Sequence, residues 1–199
     1  MTSGDRLAGR LRRFVADERV LEAIAQVPRD AFVPGPWRWA AWRNRALPIA
    51  CGQAISQPLV VARMCELLEL RPQDRVLDIG TGSGYHAAVL ARLVDRVWSV
   101  ERHAELSQRA AGNLAAAGVA NVTLLVGDGR LGHPEAAPYD AINVAASGEV
   151  PVELEDQLVL GGRLVAPVGD GEQRLTLLRR VEDGVQRTAF EPVRFVPLI

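Results

Sequence analysis

The chain of 199 residues contains no lysine; all 23 of its basic residues are arginine. That excludes an imine-forming or nucleophilic lysine. It also excludes a Walker-type phosphate loop, whose lysine reaches the phosphates. Cysteine is scarce too. Cys51 and Cys65 are the only two, and they make no metal-ligand spacing. The three histidines, His86, His103 and His133, are scattered along the chain, so no metal site is expected. No apolar run approaches the 18 residues of a membrane span. The start of the chain does not read as a signal peptide, so the two thiols read as reduced and the protein as cytoplasmic. A net charge of -1 leaves no basic footprint for nucleic acid. Neither nucleic acid nor membrane is therefore expected as a partner.

What is present suits one domain with a small N-terminal attachment. Apolar residues make up 48% of the chain, enough for a full core. Leu7, Leu11, Phe14 and Val15 recur at helical spacing, and Asp17 can cap a second helix carrying Val20, Leu21, Ile24 and Val27. The segment Phe32–Trp42 holds three tryptophans between prolines and reads as a loop with a short helix. From Gln57 strand and helix alternate. A helix over 57–70 precedes a strand at 75–79, a helix at 85–93, a strand at 96–101, a helix at 104–117 and strands within 121–128 and 139–146. A short helix at 151–158, a strand over 161–169 and a final pair of strands joined at Asp183–Gly184 complete the chain. That order predicts a doubly wound α/β fold, mostly parallel, closed by an antiparallel hairpin. The expected division is an N-terminal segment, residues 1–56, packed on a main domain, residues 57–199.

In such a sheet, ligands bind beyond the carboxyl ends of the strands. Three acids and a glycine loop fall on that rim: Asp78, the run Gly80-Thr81-Gly82-Ser83-Gly84, Glu101 and Asp128. Glycines let a backbone approach a ligand closely. Glu101 lies about 20 residues past the loop, where a carboxylate can hold ribose hydroxyls. Asp128 can accept from an adenine amino group, and Asp78 can pair with a ligand ammonium. The loop spacing is G-x-G-x-G, and Asp78 sits two residues before it. A nearby carboxylate disfavours a pyrophosphate and favours a cationic tail, as in S-adenosylmethionine, over a nicotinamide dinucleotide. Each glycine taken alone is equally a tight turn, and each acid a helix cap. His86 reads as a partly exposed bystander, and His103 and His133 as surface residues.

Ser56 precedes the helix over 57–70, about 14 residues and roughly 21 Å long. If that helix returns antiparallel to the next strand, Ser56 lands on the same rim. Serine is a favoured N-cap, and a helix N-terminus also suits a carboxylate. Both roles remain open on this ground.

The stretch "VLDIGTGSGYHAAVLARLV" resembles the first S-adenosylmethionine motif of class I methyltransferases, with their Rossmann-like, seven-stranded sheet. Together with "VPRDAFVP", "LPIACGQAISQP", "NVTLLVGDG", "APYDAINVAA", "QLVLGGRLVAPVG" and "FVPLI" it resembles the protein-L-isoaspartate O-methyltransferases over Val27–Ile199. The resemblance implies methyl transfer from S-adenosylmethionine to isoaspartyl residues of damaged proteins or peptides, with S-adenosylhomocysteine as product and a monomeric enzyme. It implies that Ser56 is the active-site serine, positioning rather than attacking. It assigns Asp78 to Tyr85 with Glu101, Asp128 and Gly129 to the cofactor. Gln53, Ala54 and Ile55, with Val196 and Leu198 of the terminal segment, would line the peptide groove. Ala54 stands where that family usually has threonine. Trp42 and Asn44 stand where it often has tyrosine and aspartate. Two further roles therefore stay open: a relative that methylates aspartates of a dedicated peptide, and a cofactor-binding module without repair activity.

Overall fold

The computed structural model describes residues 1–199. The N-terminal third begins with two helices, α1 (Ser3–Leu11) and α2 (Glu18–Gln26). Thr2 and Asp5 form a reciprocal capping box on α1, and the Asp17 side chain caps α2. The helices pack closely because Gly4 has no side chain: a Cβ there would stand 2.1 Å from the carbonyl oxygen of Ala25. Leu7, Leu11 and Val15 are buried. Phe14 is not. The helix ends at Leu11, and the Phe14 ring, about half exposed, carries the Arg13 guanidinium instead.

A two-stranded hairpin follows, β1 (Leu47–Pro48) and β2 (Ala54–Ile55), and then α3 (Pro58–Leu67). The helix has ten residues, shorter than its apolar pattern predicts. Pro58 opens it, and Glu69, with φ +47°, turns the chain off its end.

The main sheet contains β3 (Arg75–Ile79), β4 (Arg96–Glu101), β5 (Val122–Val126), β6 (Tyr139–Val144), β7 (Leu158–Val168), β8 (Gln173–Val181) and β9 (Gly184–Val193). Its spatial order is β5-β4-β3-β6-β7-β8-β9. Strands β3 to β7 run parallel; β8 and β9 are antiparallel additions. The expected fold class therefore holds, and β3, β4 and the helix α4 (Tyr85–Leu93) occupy the expected residues. The fifth parallel strand starts earlier than expected, at Leu158, so α6 shrinks to Val152–Asp156.

Alternation along the strands divides the core in two. Val76, Val97, Ala141 and Val165 face a large cluster built with α1 to α4. Leu77, Trp98, Ile142 and Leu164 face a smaller cluster on the other side, covered by α6. The chain runs outward from β3 through β4 to β5, then crosses back to β6 beside β3. The order reverses between β3 and β6, which opens a crevice at their carboxyl ends.

Candidate active site

A cavity of about 290 Å³ fills that crevice. Its floor is the loop after β3, one wall is the end of β4, and the facing wall is the hairpin segment 52–56. The tail 196–199 lies over it.

The loop is fixed from below by a buried polar ladder. The Ser99 hydroxyl donates to Asp78 Oδ2 at 2.7 Å, and Asn143 Nδ2 donates to Oδ1 at 2.7 Å. Thr81 Oγ1 meets Ser99 Oγ at 2.6 Å. Asn143 Nδ2 also reaches His86 Nδ1 at 3.2 Å, and His86 Nε2 lies 3.6 Å from Cys65 Sγ. An amide nitrogen only donates, so Nδ1 accepts and the imidazole proton sits on Nε2. Asp78 is fully buried and does not line the cavity. Both of its oxygens are engaged, so in this structure it holds up the loop rather than presenting itself to a ligand ammonium. Burial pushes its carboxyl up, while the bonds from Ser99 and Asn143 pull it down. Burial also pushes the His86 imidazole down, to about 3.

Glu101 is braced differently. Its Oε2 accepts from Gly82 N and its Oε1 from His103 N, each at 2.9 Å. It thereby ties the loop to the start of α5 (Ala104–Ala116) while lining the cavity. Gly80, Thr81, Gly82, Ser83 and Gly129 also line it, as the sequence suggests. Gly129 is needed for space: a Cβ there would meet Ile79 Cγ2 at 2.5 Å.

Gly84 and Tyr85 stand behind the loop. Gly84, with φ +88°, makes the turn into α4. Tyr85 is buried, its hydroxyl raised to about 12 by burial, and its ring stacks under Arg29 with the guanidinium 4.6 Å from the centroid. Asp128 lies outside the cavity and is held by Arg130, whose hydrogen bonds bring its carboxyl down to about 2. It also accepts from the Arg130 backbone N–H.

Two histidines correct the sequence expectation. His86 is buried and lines the cavity, because the second residue of α4 points back beneath the loop. His103 lines the cavity as well, directly after the strand that ends in Glu101. Arg102, Ala145, Pro197 and Ile199 are further lining residues that the sequence reading missed. Arg102 and His103 follow Glu101 on the same rim, which was a usable signal. Ala145 carries no chemical signature to read.

On the hairpin side, Gln53, Ala54, Ile55 and Ser56 line the cavity with Val196 and Leu198. The lengths had placed Ser56 on this rim, and it is there. It is not the N-cap, however. Gln57 holds that position and makes no side-chain cap bond. The cap comes from a distant loop, where Asn44 Oδ1 accepts from Leu59 N at 2.9 Å. Pro58 has no N–H and that of Leu59 is taken, so α3 offers a carboxylate fewer free donors than the sequence implied. The tail is held in turn. Gln173 exchanges two hydrogen bonds with the Phe195 backbone, Ser147 N donates to Val196 O, and Arg102 Nη1 donates to Ile199 O at 2.9 Å.

The lining matches an adenosine with a cationic tail. It has a glycine floor and one carboxylate, that of Glu101, facing it. Three comparisons agree. The family model described as protein-L-isoaspartate(D-aspartate) O-methyltransferase matches residues 7–199. The chain belongs to this family. A protein-L-isoaspartate O-methyltransferase of Methanoculleus marisnigri is 54% identical over 94% of this chain and 86% of its own length. One from Roseiflexus sp. is 51% identical over 95% of this chain and 88% of its own. A solved protein-L-isoaspartate O-methyltransferase superposes with a TM-score of 0.89 at 28% identity, over 98% of this chain and 65% of that one. The fold also matches, at a TM-score of 0.86 and 24% identity, a Plasmodium falciparum structure described as this enzyme in complex with S-adenosyl-L-homocysteine. It covers 100% of this chain and 99% of that one.

Proposed function

We propose that the protein methylates isoaspartyl carboxylates of damaged polypeptides, using S-adenosylmethionine. The observation that carries this is one cavity joining the Glu101-braced glycine loop to the Ser56 hairpin. Residues 57–199 supply the cofactor floor and residues 1–56 the acceptor wall.

S-adenosylmethionine, when bound, supplies a methyl group on a positive sulfur that leaves as a neutral thioether. Gly80 to Ser83, Gly129 and Glu101 would hold it. The acceptor carboxylate is already ionised at neutral pH, so no general base is required. What remains is alignment, and the fixed walls provide it. The Ser56 hydroxyl lines the cavity and makes no protein hydrogen bond that would occupy it. It can donate to one carboxylate oxygen and leave the other to attack. Val196 and Leu198 exclude water above it. The neutral His86 adds no positive charge beside the cationic methyl donor.

The test is transfer of labelled methyl to an isoaspartyl peptide and to its aspartyl twin. Labelling of the isoaspartyl peptide alone is expected; equal or absent labelling of the two overturns the repair activity. The exposed Ala54 beside Ser56 favours one second reading, a substrate that does not need a hydroxyl there. Under that reading Ala54→Thr would lower activity on the true substrate.

No helix is long and apolar enough to cross a membrane. Both cysteines are free, which suits the cytoplasmic setting proposed for the enzyme.

A further inference from the structure

Between Asp30 and Glu66 the chain has no acidic residue, but it has Arg38, Arg43, Arg45 and Arg63. The first three are exposed, and none of their side chains enters an ion pair. What sets this group apart is not that its arginines are unpaired but that the stretch around them carries no acid. Two exposed tryptophans lie in the same segment. Trp39 is 64% and Trp37 38% exposed. The Arg43 guanidinium lies over the Trp39 ring, 4.7 Å from its centroid.

The face adjoins the acceptor mouth. Leu47 pairs with Ile55 and Pro48 with Ala54. The chain just before Leu47 therefore runs beside the chain just after Ile55, where Ser56 lies. The bond from Leu59 N to Asn44 confirms the contact, and Arg43 and Arg45 flank Asn44 in sequence. An extended peptide spans about 3.3 Å per residue. A polypeptide with its acceptor at Ser56 brings residues only a few positions away over this face.

We propose that the face from Trp37 to Arg45 docks an acidic stretch of the polypeptide substrate. The enzyme then favours isoaspartyl residues that have aspartate or glutamate nearby in the chain. The proposal rests on the methyl-transfer activity above. Free arginines supply the charge complementarity and fork geometry for carboxylates, and the tryptophans supply rigid apolar contact. Exposed ion pairs are individually weak and salt-sensitive, so the gain is one of selectivity among substrates.

The test uses three isoaspartyl peptides of one length, with flanks of glutamate, glutamine or arginine. Methyl transfer is measured for each, and so is peptide binding in the presence of S-adenosylhomocysteine. The glutamate peptide should show a KM and a Kd about 5- to 10-fold below the glutamine peptide at low salt. The advantage should shrink to less than about twofold at high salt. The variant R38Q/R43Q/R45Q should lose it. R71Q/R92Q/R96Q, with the same charge change at the opposite end of the strands, should keep it. Turnover of all three peptides without preference, or a preference that survives R38Q/R43Q/R45Q, overturns the docking face and leaves the activity standing. Preferential binding without turnover supports the face and overturns the activity. A single-stranded oligonucleotide that binds the face while the peptides show no preference overturns it in favour of nucleic acid.

Discussion

At the scale of single residues, Ser56 and His86 exchange the weights their positions suggest. Ser56 precedes a helix, yet it leaves the capping to Asn44 and keeps its hydroxyl for the cavity. Ser56→Ala should lower kcat on an isoaspartyl peptide by roughly 10- to 100-fold, the loss of one positioning hydrogen bond to a charged group. The Kd for S-adenosylhomocysteine by calorimetry should move less than about twofold. His86 is a buried neutral link, with its imidazole held down near 3 by burial. An unfolded chain protonates its histidine near 6.5. Between about pH 3 and 6.5 the unfolded state therefore binds the extra proton, and stability is lost as pH falls through that window. From pH 7 to 5 this one group should remove about 2 kcal/mol. His86→Gln should flatten the decline in denaturant midpoint over that range. A parallel decline in both proteins would mean that His86 titrates normally.

At the scale of elements, the start of α3 is decided by two segments distant in sequence. Its own sequence offers Ser56, Gln57 and Pro58, but the bond that closes it comes from Asn44. Asn44→Ala should cost about 1 kcal/mol of stability and raise the peptide KM more than the cofactor KM, because the Ser56 hairpin adjoins that turn. Asn44→Asp keeps an acceptor oxygen and should recover most of both effects, as read by thermal melts and a KM comparison. Asn44, which stands where the resembled family often has aspartate, is thus a helix cap, which no local pattern could reveal. The elements themselves were largely legible. Buried parallel strands such as Arg75–Ile79 and Arg96–Glu101 are short apolar runs stopped by polar turns, so their limits are visible. The limits of α3 and β7 were not, because apolar periodicity does not mark where a neighbouring chain takes over the hydrogen bonds.

At the scale of the molecule, one arginine joins the halves of the sheet to α3. Arg163 on β7 donates to Leu68 O, Asp140 O and Glu69 O and pairs with Asp74, nearly out of contact with water. Its removal leaves the buried Asp74 carboxylate with the Arg71 backbone N–H as its one remaining partner. Arg163→Ala should cost about 3 kcal/mol, a fall in Tm of roughly 10 °C for a chain of this length. Arg163→Lys should recover little, since one ammonium cannot reach four acceptors. A Tm within about 2 °C of the parent would show that the clamp is dispensable. The same packing sets the cofactor loop, since the ladder through Asp78, Ser99 and Asn143 draws on three adjacent strands.

The sequence by itself determined the fold class, the strand order's alternation and the rim on which chemistry could occur. Periodicity and turn residues act over short range and are written locally. The glycine spacing and Asp78 also pointed to a cationic adenosine rather than a pyrophosphate, but Asp78 is a buried support of the loop and does not face the cavity. Only the tertiary structure decided which rim residues face the cavity. Glu101 faces it, while Asp78 and Asp128 are engaged by Ser99, Asn143 and Arg130. A carboxylate's direction depends on which donors reach it first, and those donors come from other strands and turns. The same physics separated Ser56 from the cap: a free hydroxyl lines the cavity there because a distant asparagine satisfied the helix.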